Sequence, residues 1–350
     1  MIDWMEALVL GIVQGATEYL PISSSGHLVI AQHLFGLEEP ALFFDIVLHL
    51  GTLVAVVWYY RKDIVELIRE TLSGLRHLAS GHSWKETLTS FPGLRFALLI
   101  AVGTVPTAVI GVTFEDTFEQ LFGSVRLVGF MLMVTGVVLL LTRRSRPVGR
   151  SAEGMTWVDA VIIGIVQGVA ITPGISRSGI TIGAALLLGI ERETAARYSF
   201  LLSIPSILGA LLLRLKGAED GVGTAALVLG FGAAALTGYF CLALLVRVVK
   251  RGRLSWFAPY CFALGLLAVW HLLDRLNRRQ PDSPLATVAA RTFLLATPVV
   301  VLAVYDTLQA ILRLDVNRPV DCCSMVYGKI RSAGQAGDLS GIPDTYWVWG

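Results

Sequence analysis

Two stretches decide the fold: Gly11-Ile12-Val13-Gln14-Gly15-Ala16-Thr17-Glu18-Tyr19-Leu20-Pro21-Ile22-Ser23-Ser24-Ser25-Gly26 and Gly164-Ile165-Val166-Gln167-Gly168-Val169-Ala170-Ile171-Thr172-Pro173-Gly174-Ile175-Ser176-Arg177-Ser178-Gly179. They align without a gap at an offset of 153 and agree at nine of sixteen positions, so one is a copy of the other. In each, a short apolar run (5–19, 158–171) breaks at a Pro-, Gly- and Ser-rich turn and resumes as a second short run (27–35, 180–190). A helix needs about 20 apolar residues to cross a bilayer, and no half reaches that length. Each copy therefore reads as a re-entrant helical hairpin, the alternative being a full span followed by an ordinary loop.

The composition names the solvent. Charged residues make up 15% of the 350, against roughly 25% in soluble domains. Hydrophobic residues make up 55%, and the mean hydropathy is +0.69. These values exclude an ordinary soluble enzyme, a disordered chain and a secreted disulfide scaffold. The 28 basic and 26 acidic residues leave +2, which gives no electrostatic case for nucleic acid. Cys241 and Cys261 sit in apolar runs as core residues, and the adjacent Cys322 and Cys323 fit neither a disulfide nor a zinc spacing. The start, Met1 to Glu6, lacks the positive region of a signal peptide.

Spanning segments are expected at 41–60, 96–114 and 127–142 after the first hairpin. Three more are expected at 193–213, 222–246 and 254–273 after the second. The expected fold is an all-α integral membrane protein with an inverted-topology repeat, each half a re-entrant hairpin plus three transmembrane helices. Residues 1–274 form the membrane domain, with repeat one at 1–142 and repeat two at 156–274. Residues 275–350 form an extension: a partly apolar helix near 292–305, then a disordered tail from 315. Lys and Arg concentrate in the connections 61–93, 143–155 and 247–253, which places these on the cytoplasmic side. Arg275, Arg278 and Arg279 run against that assignment.

Charges inside apolar runs are costly and mark function. Gln14 and Glu18 are four apart on one helix face among Leu10, Val13 and Leu20. Ser23, Ser24, Ser25 and Gly26 precede a helix opened by His27, a pattern that offers hydroxyls, backbone N–H groups and a positive dipole end to phosphate. The second copy repeats the turn as Gly174, Ser176, Arg177, Ser178 and Gly179 and puts a guanidinium in it. A buried guanidinium needs an anion: phosphate when a ligand is bound, Glu18 when none is. Helix ends, hydroxyls, an arginine, a histidine and a carboxylate able to hold Mg²⁺ or Ca²⁺ make a phosphoryl-transfer set. Its substrate would arrive through lipid.

The runs Gln14 to His27 and Pro173 to Gly179, with 44–54, 198–210 and 257–267, resemble the bacterial undecaprenyl-diphosphatase (bacitracin-resistance) family over about residues 1–273. The resemblance implies hydrolysis of undecaprenyl diphosphate to undecaprenyl phosphate and inorganic phosphate, recycling the carrier for cell-wall synthesis and conferring bacitracin resistance. It implies Mg²⁺ or Ca²⁺ as cofactor and a bacterial plasma-membrane site opening outward. By position, Glu18 is the essential carboxylate, His27 the acid/base group, Arg177 the diphosphate clamp and Ser24 the candidate nucleophile. Ser23, Ser25, Gly26, Gly174, Ser176 and Ser178 are the substrate-binding set. Glu18 and Gln14 are the metal-ligand candidates, Gln14 standing where many members have Glu and so offering a neutral oxygen. Expected partners are the polyprenyl diphosphate and membrane lipids, with a homodimer possible and no nucleic acid. The competing function is a transporter or flippase for a lipid phosphate carrier, because broken helices in inverted repeats are also transporter anatomy. A catalytically silent scaffold is a third reading.

Overall fold

The computed structural model describes residues 2–35, 42–122, 125–145, 149–214 and 222–279. The sequence expectations for the extension beyond 280 lie outside the described residues.

The first copied stretch becomes α1 (Trp4–Tyr19) and α2 (Ser24–Leu34), and the second becomes α9 (Trp157–Val169) and α10 (Arg177–Leu187). All four are shorter than a bilayer crossing requires. Both leading helices start on a capping box. Asp3 accepts from the Met5 and Glu6 amides while Glu6 bonds back to the Asp3 amide, and Thr156 and Asp159 do the same for α9. Pro21 follows the end of α1, and Gly174, at φ 91°, turns the chain between α9 and α10. A side chain on Gly174 would also strike the Val128 backbone.

Between the hairpins lie α3 (Leu42–Tyr59), α4 (Arg61–Ala79), α5 (Trp84–Ser90), α6 (Pro92–Thr113), α7 (Glu115–Phe122) and α8 (Val125–Leu141). After them come α11 (Arg192–Arg214), α12 (Thr224–Lys250) and α13 (Ala258–Arg279). The chain is an all-α, multi-pass membrane protein. On length and composition α6, α8, α11 and α12 can each cross a bilayer. They answer four of the six expected spans; 41–60 falls on α3, which makes a fifth only together with α4, and 254–273 falls on a shorter apolar stretch. Helix α3 meets α4 at a 72° bend, and the last apolar stretch, Leu254–Trp270, begins with a 3₁₀ turn at Leu254–Phe257.

The core is apolar, but large apolar side chains also cover the outside of the long helices. Val105, Val109, Phe130, Leu236 and Phe240 are exposed on the long helices, while Gln14, Glu18, Gln167 and Ser203 are buried. Exposed apolar side chains on long helices face a solvent of lipid tails, and polar ones turn inward where partners exist. Helix α4 differs: Val65, Ile68, Leu72 and Leu75 form an exposed apolar stripe on a helix otherwise rich in charge.

The repeated Gly-x-x-x-Gly spacing explains the packing. Helix α1 packs chiefly on α12, and α9 packs chiefly on α6. A Cβ at Gly11 would meet the Gly230 carbonyl and one at Gly15 the Ala234 carbonyl; one at Gly164 would meet the Gly103 carbonyl. Backbones approach this closely only where side chains are absent. The core between them is aromatic. Tyr19 meets Phe200 edge-on at 5.7 Å, Tyr198 meets Phe96 at 5.7 Å, and the Tyr198 hydroxyl donates to the Leu99 carbonyl at 2.8 Å. Thr107 spans α6 and α9 by donating to the Gly164 carbonyl at 2.8 Å.

Outside the hairpins, Arg150 forks onto both oxygens of Asp159 at 2.7 and 3.0 Å, tying the 149–156 connection to α9. This bond holds the Arg150 guanidinium above its usual range.

Gly164→Val should lower the thermal unfolding midpoint in detergent, by overpacking worth about 1–3 kcal/mol. Gly209→Ala, with nothing within 4 Å of the added carbon, is the control that should leave the midpoint in place.

Candidate functional site

Glu18 lies in the last turn of α1, buried, with both carboxylate oxygens engaged. Oε1 pairs with the Arg177 guanidinium at the first position of α10. Oε2 accepts from Ser24 Oγ at 2.6 Å and from Gln14 Nε2 at 3.0 Å, with His49 Nε2 at 3.8 Å. One carboxylate thus joins the end of α1, the start of α2, the start of α10 and α3. The pairing of Arg177 with Glu18, expected from sequence, is present.

The two turns share a local device. Ser23 Oγ stands 3.3 Å from Ser25 Oγ, and Ser176 Oγ stands 3.3 Å from Ser178 Oγ. Ser23 sits at φ 69°, a left-handed position costly for a non-glycine residue and held by its surroundings. Ser176 caps α10 by accepting from the Gly179 amide at 3.2 Å, and its own amide donates to Thr135 Oγ1 at 3.0 Å. Helix α8 supports both turns, since Val128 borders Gly26 as well as Gly174. The first turn is also held from α13, where Cys261 Sγ donates to the Pro21 carbonyl at 3.3 Å.

His27 is engaged on the other side of its helix start. Nδ1 meets the Ser23 carbonyl at 2.7 Å, so it must carry the hydrogen; Nε2 then accepts from the Tyr260 hydroxyl at 2.7 Å. The rings of His27 and Tyr260 stack, with 10° between their planes. The structure therefore gathers Glu18, Ser24, Arg177 and Gln14 around one carboxylate and gives His27 to Tyr260.

A small cleft beside the pair is lined by Glu18, Tyr19, Arg177, Ser178, Thr181, Ser199, Phe200 and Ser203. Ser199 Oγ is buried there without a hydrogen-bond partner among the described residues, and Gln14 Oε1 beside Glu18 is in the same state. Such orphaned oxygens are rare and await a partner. Gln14 turns Nε2 to Glu18, so a hard divalent cation could be held by these two residues only with the Gln14 amide turned over to set Oε1 beside the carboxylate; the oxygen donors then fit such an ion.

Two residues here, and the orientation of His49, escaped the sequence reading. Tyr260 and Ser199 lie in apolar helices where a single hydroxyl gives no signal. His49 Nδ1 bonds the Asp45 carbonyl at 2.7 Å and turns Nε2 to Glu18, while Gln32 Nε2 donates to Asp45 Oδ1 at 2.7 Å.

The sequence profile described as "Bacitracin resistance protein BacA" matches residues 7–267, a range that contains every residue of this site. The chain belongs to the bacitracin resistance protein family. Among curated members, the undecaprenyl-diphosphatase of Desulforapulum autotrophicum is 47% identical over 266 residues, 75% of this chain and 96% of that protein. The undecaprenyl-diphosphatase of Desulfosudis oleivorans is 48% identical over 268 residues, 76% and 97% of the two chains. Undecaprenyl-diphosphatase 4 of Bacillus cereus is 40% identical over 269 residues, 76% and 96%. The bacitracin resistance family match ends at 267, within α13, so the extension lies beyond it.

Removing one partner of a buried pair strands the other's charge. Arg177→Ala should cost roughly 3–5 kcal/mol of stability in chemical unfolding, and clearly less in a Glu18→Gln background. Equal losses in both backgrounds would show that the two side chains are not coupled.

Proposed function

We propose that the protein hydrolyses undecaprenyl diphosphate to undecaprenyl phosphate and inorganic phosphate. The observation that carries this reading is the Glu18 carboxylate bonded at once to a serine hydroxyl and an arginine, at the junction of two helix starts. The names of the curated relatives point to the same substrate.

Arg177 is neutralised by Glu18. A diphosphate, with more charge and more acceptor oxygens, takes the guanidinium's planar fork and draws it off the carboxylate. Ser23, Ser25, Ser176 and Ser178 hydroxyls and the Gly26 and Gly174 turns supply further contacts to phosphate oxygens. Glu18 keeps its bond to Ser24, whose proton it is placed to take at 2.6 Å as Oγ attacks the distal phosphorus. The P–O bond to the lipid monophosphate breaks, that product leaves, and water then releases phosphate from the serine. His27 exchanges protons at Nε2 through the Tyr260 hydroxyl. A Mg²⁺ or Ca²⁺ held by Glu18 and Gln14 would neutralise charge on the transferred group.

The membrane arrangement belongs to the same reading. The reciprocal packing of α1 on α12 and of α9 on α6 supports two copies inverted across the bilayer. With the basic connections inside, the site opens to the outer face of the bacterial plasma membrane. The amphipathic α4 lies along the headgroups. The transporter alternative needs Arg177 and the helix ends but gives no task to the Glu18–Ser24 bond.

Purified protein in detergent with Mg²⁺ or Ca²⁺ should release phosphate from a polyprenyl diphosphate. Glu18→Gln and Arg177→Ala should each slow release at least about 100-fold, roughly 2.7 kcal/mol of barrier. Ser24→Ala should do the same if the serine attacks; retained turnover would assign attack to water activated by Glu18. Absence of release by the intact protein, with lipid-carrier exchange across vesicles instead, would establish the transporter.

A further inference from the structure

We propose that His77, His82 and Glu86 form a second metal site, separate from the phosphatase centre, for a borderline divalent transition metal such as Zn²⁺. One ligand atom from each of the three lies within 4.8 Å of the others. The three come from the end of α4, the connection and the first turn of α5. The chain is built to bring them together. Ser80 ends α4 with its amide on the Arg76 carbonyl, and Gly81, at φ 90°, reverses the backbone. Ser83 then caps α5 by accepting from the Glu86 amide at 3.2 Å, which fixes Glu86 in the first turn. The rings of His77 and His82 stack at 3.7 Å between centroids with 20° between their planes, so His82, on the exposed connection, must turn out of the stack for both in-plane lone pairs to reach one ion.

The hydrogen bonds around both rings settle where their protons sit. Thr87 Oγ1 gives its hydrogen to the Ser83 carbonyl at 3.0 Å, so it can only accept from His77 Nδ1 at 2.9 Å. Ser80 Oγ gives its hydrogen to the His77 carbonyl at 2.8 Å, so His82 Nδ1, 3.0 Å from Ser80 Oγ and 3.2 Å from that carbonyl, is also a donor. Each neutral ring is left with a lone pair on Nε2. A ring with one nitrogen held by an oxygen and the other free is the state in which histidine binds metal. Two imidazoles and one carboxylate suit Zn²⁺ and leave a fourth position for water, whereas the oxygen-only set at Gln14 and Glu18 suits Mg²⁺ or Ca²⁺. His82 and Glu86 are exposed, so metal reaches the site from solvent.

The test is metal binding by the full chain, freed of any affinity tag and of metal, in detergent. Co²⁺ serves as the visible probe and Zn²⁺ as the competitor. Wild type should bind one equivalent of Co²⁺ with the intense visible absorption of a four-coordinate ion, displaced by Zn²⁺. His82→Ala and Glu86→Gln, both at exposed positions, should lose that spectrum while unfolding at the wild-type midpoint without metal. Thr87→Val, which removes the acceptor for His77 together with the bond from Thr87 to the Ser83 carbonyl, should weaken binding about 10- to 100-fold. Zn²⁺ should raise the unfolding midpoint of wild type and not of His82→Ala. Absence of the spectrum in wild type, or an unchanged spectrum in His82→Ala and Glu86→Gln, would overturn the proposal. Neither readout involves phosphate release, so this result stands apart from that of the phosphatase assay.

Discussion

A carboxylate inside an apolar helix bundle is expensive to keep charged, and the structure turns on how Glu18 is kept so. Its cation arrives from 159 residues away in sequence, on a different hairpin. The pair can form only if both hairpins stop short, turn, and present their second helices to a common point. Breaking either partner would leave a bare charge in low dielectric, so the pair fixes the relative placement of the two copies as well as the site. The price of this arrangement is that a ligand must compete with Glu18 for the guanidinium.

Duplication supplied two similar frames and divergence gave them different tasks. Gln14 and Gln167 occupy matching positions. Gln14 bonds the Glu18 carboxylate, whereas Gln167 bonds Ser206 Oγ at 2.7 Å and the Leu202 carbonyl at 3.3 Å and holds α9 to α11. Ile171 stands where the first copy has Glu18, and Arg177 stands where it has Ser24. The carboxylate and the hydroxyl therefore come from one copy and the guanidinium from the other. Neither hairpin alone carries the full set.

Much of this was legible before any coordinates. A charge in an apolar run is conspicuous, which is why Glu18 and Arg177, and their pairing, could be read from the sequence. The copied stretches marked both helix pairs, α1 with α2 and α9 with α10, and all four helices are shorter than a bilayer crossing. The glycines of the repeated motif were visible, but the helices they admit, α12 and α6, were not, since packing partners far apart in sequence leave no local trace. Tyr260, Ser199 and the orientation of His49 were hidden for a similar reason: one hydroxyl or imidazole in a helix looks the same whether it faces lipid, core or site. The 72° bend between α3 and α4 was also unreadable in angle, although the change from an apolar to a charged stretch at Arg61 marked its place.

The central claim is that a diphosphate takes Arg177 from Glu18 and leaves the carboxylate bonded to Ser24. Isotope-edited infrared difference spectroscopy on glutamate-labelled protein tests it directly, with a non-hydrolysable polyprenyl diphosphonate as ligand. A carboxylate band that is absent in Glu18→Gln should shift when the ligand binds. Binding without any shift of that band would contradict the exchange.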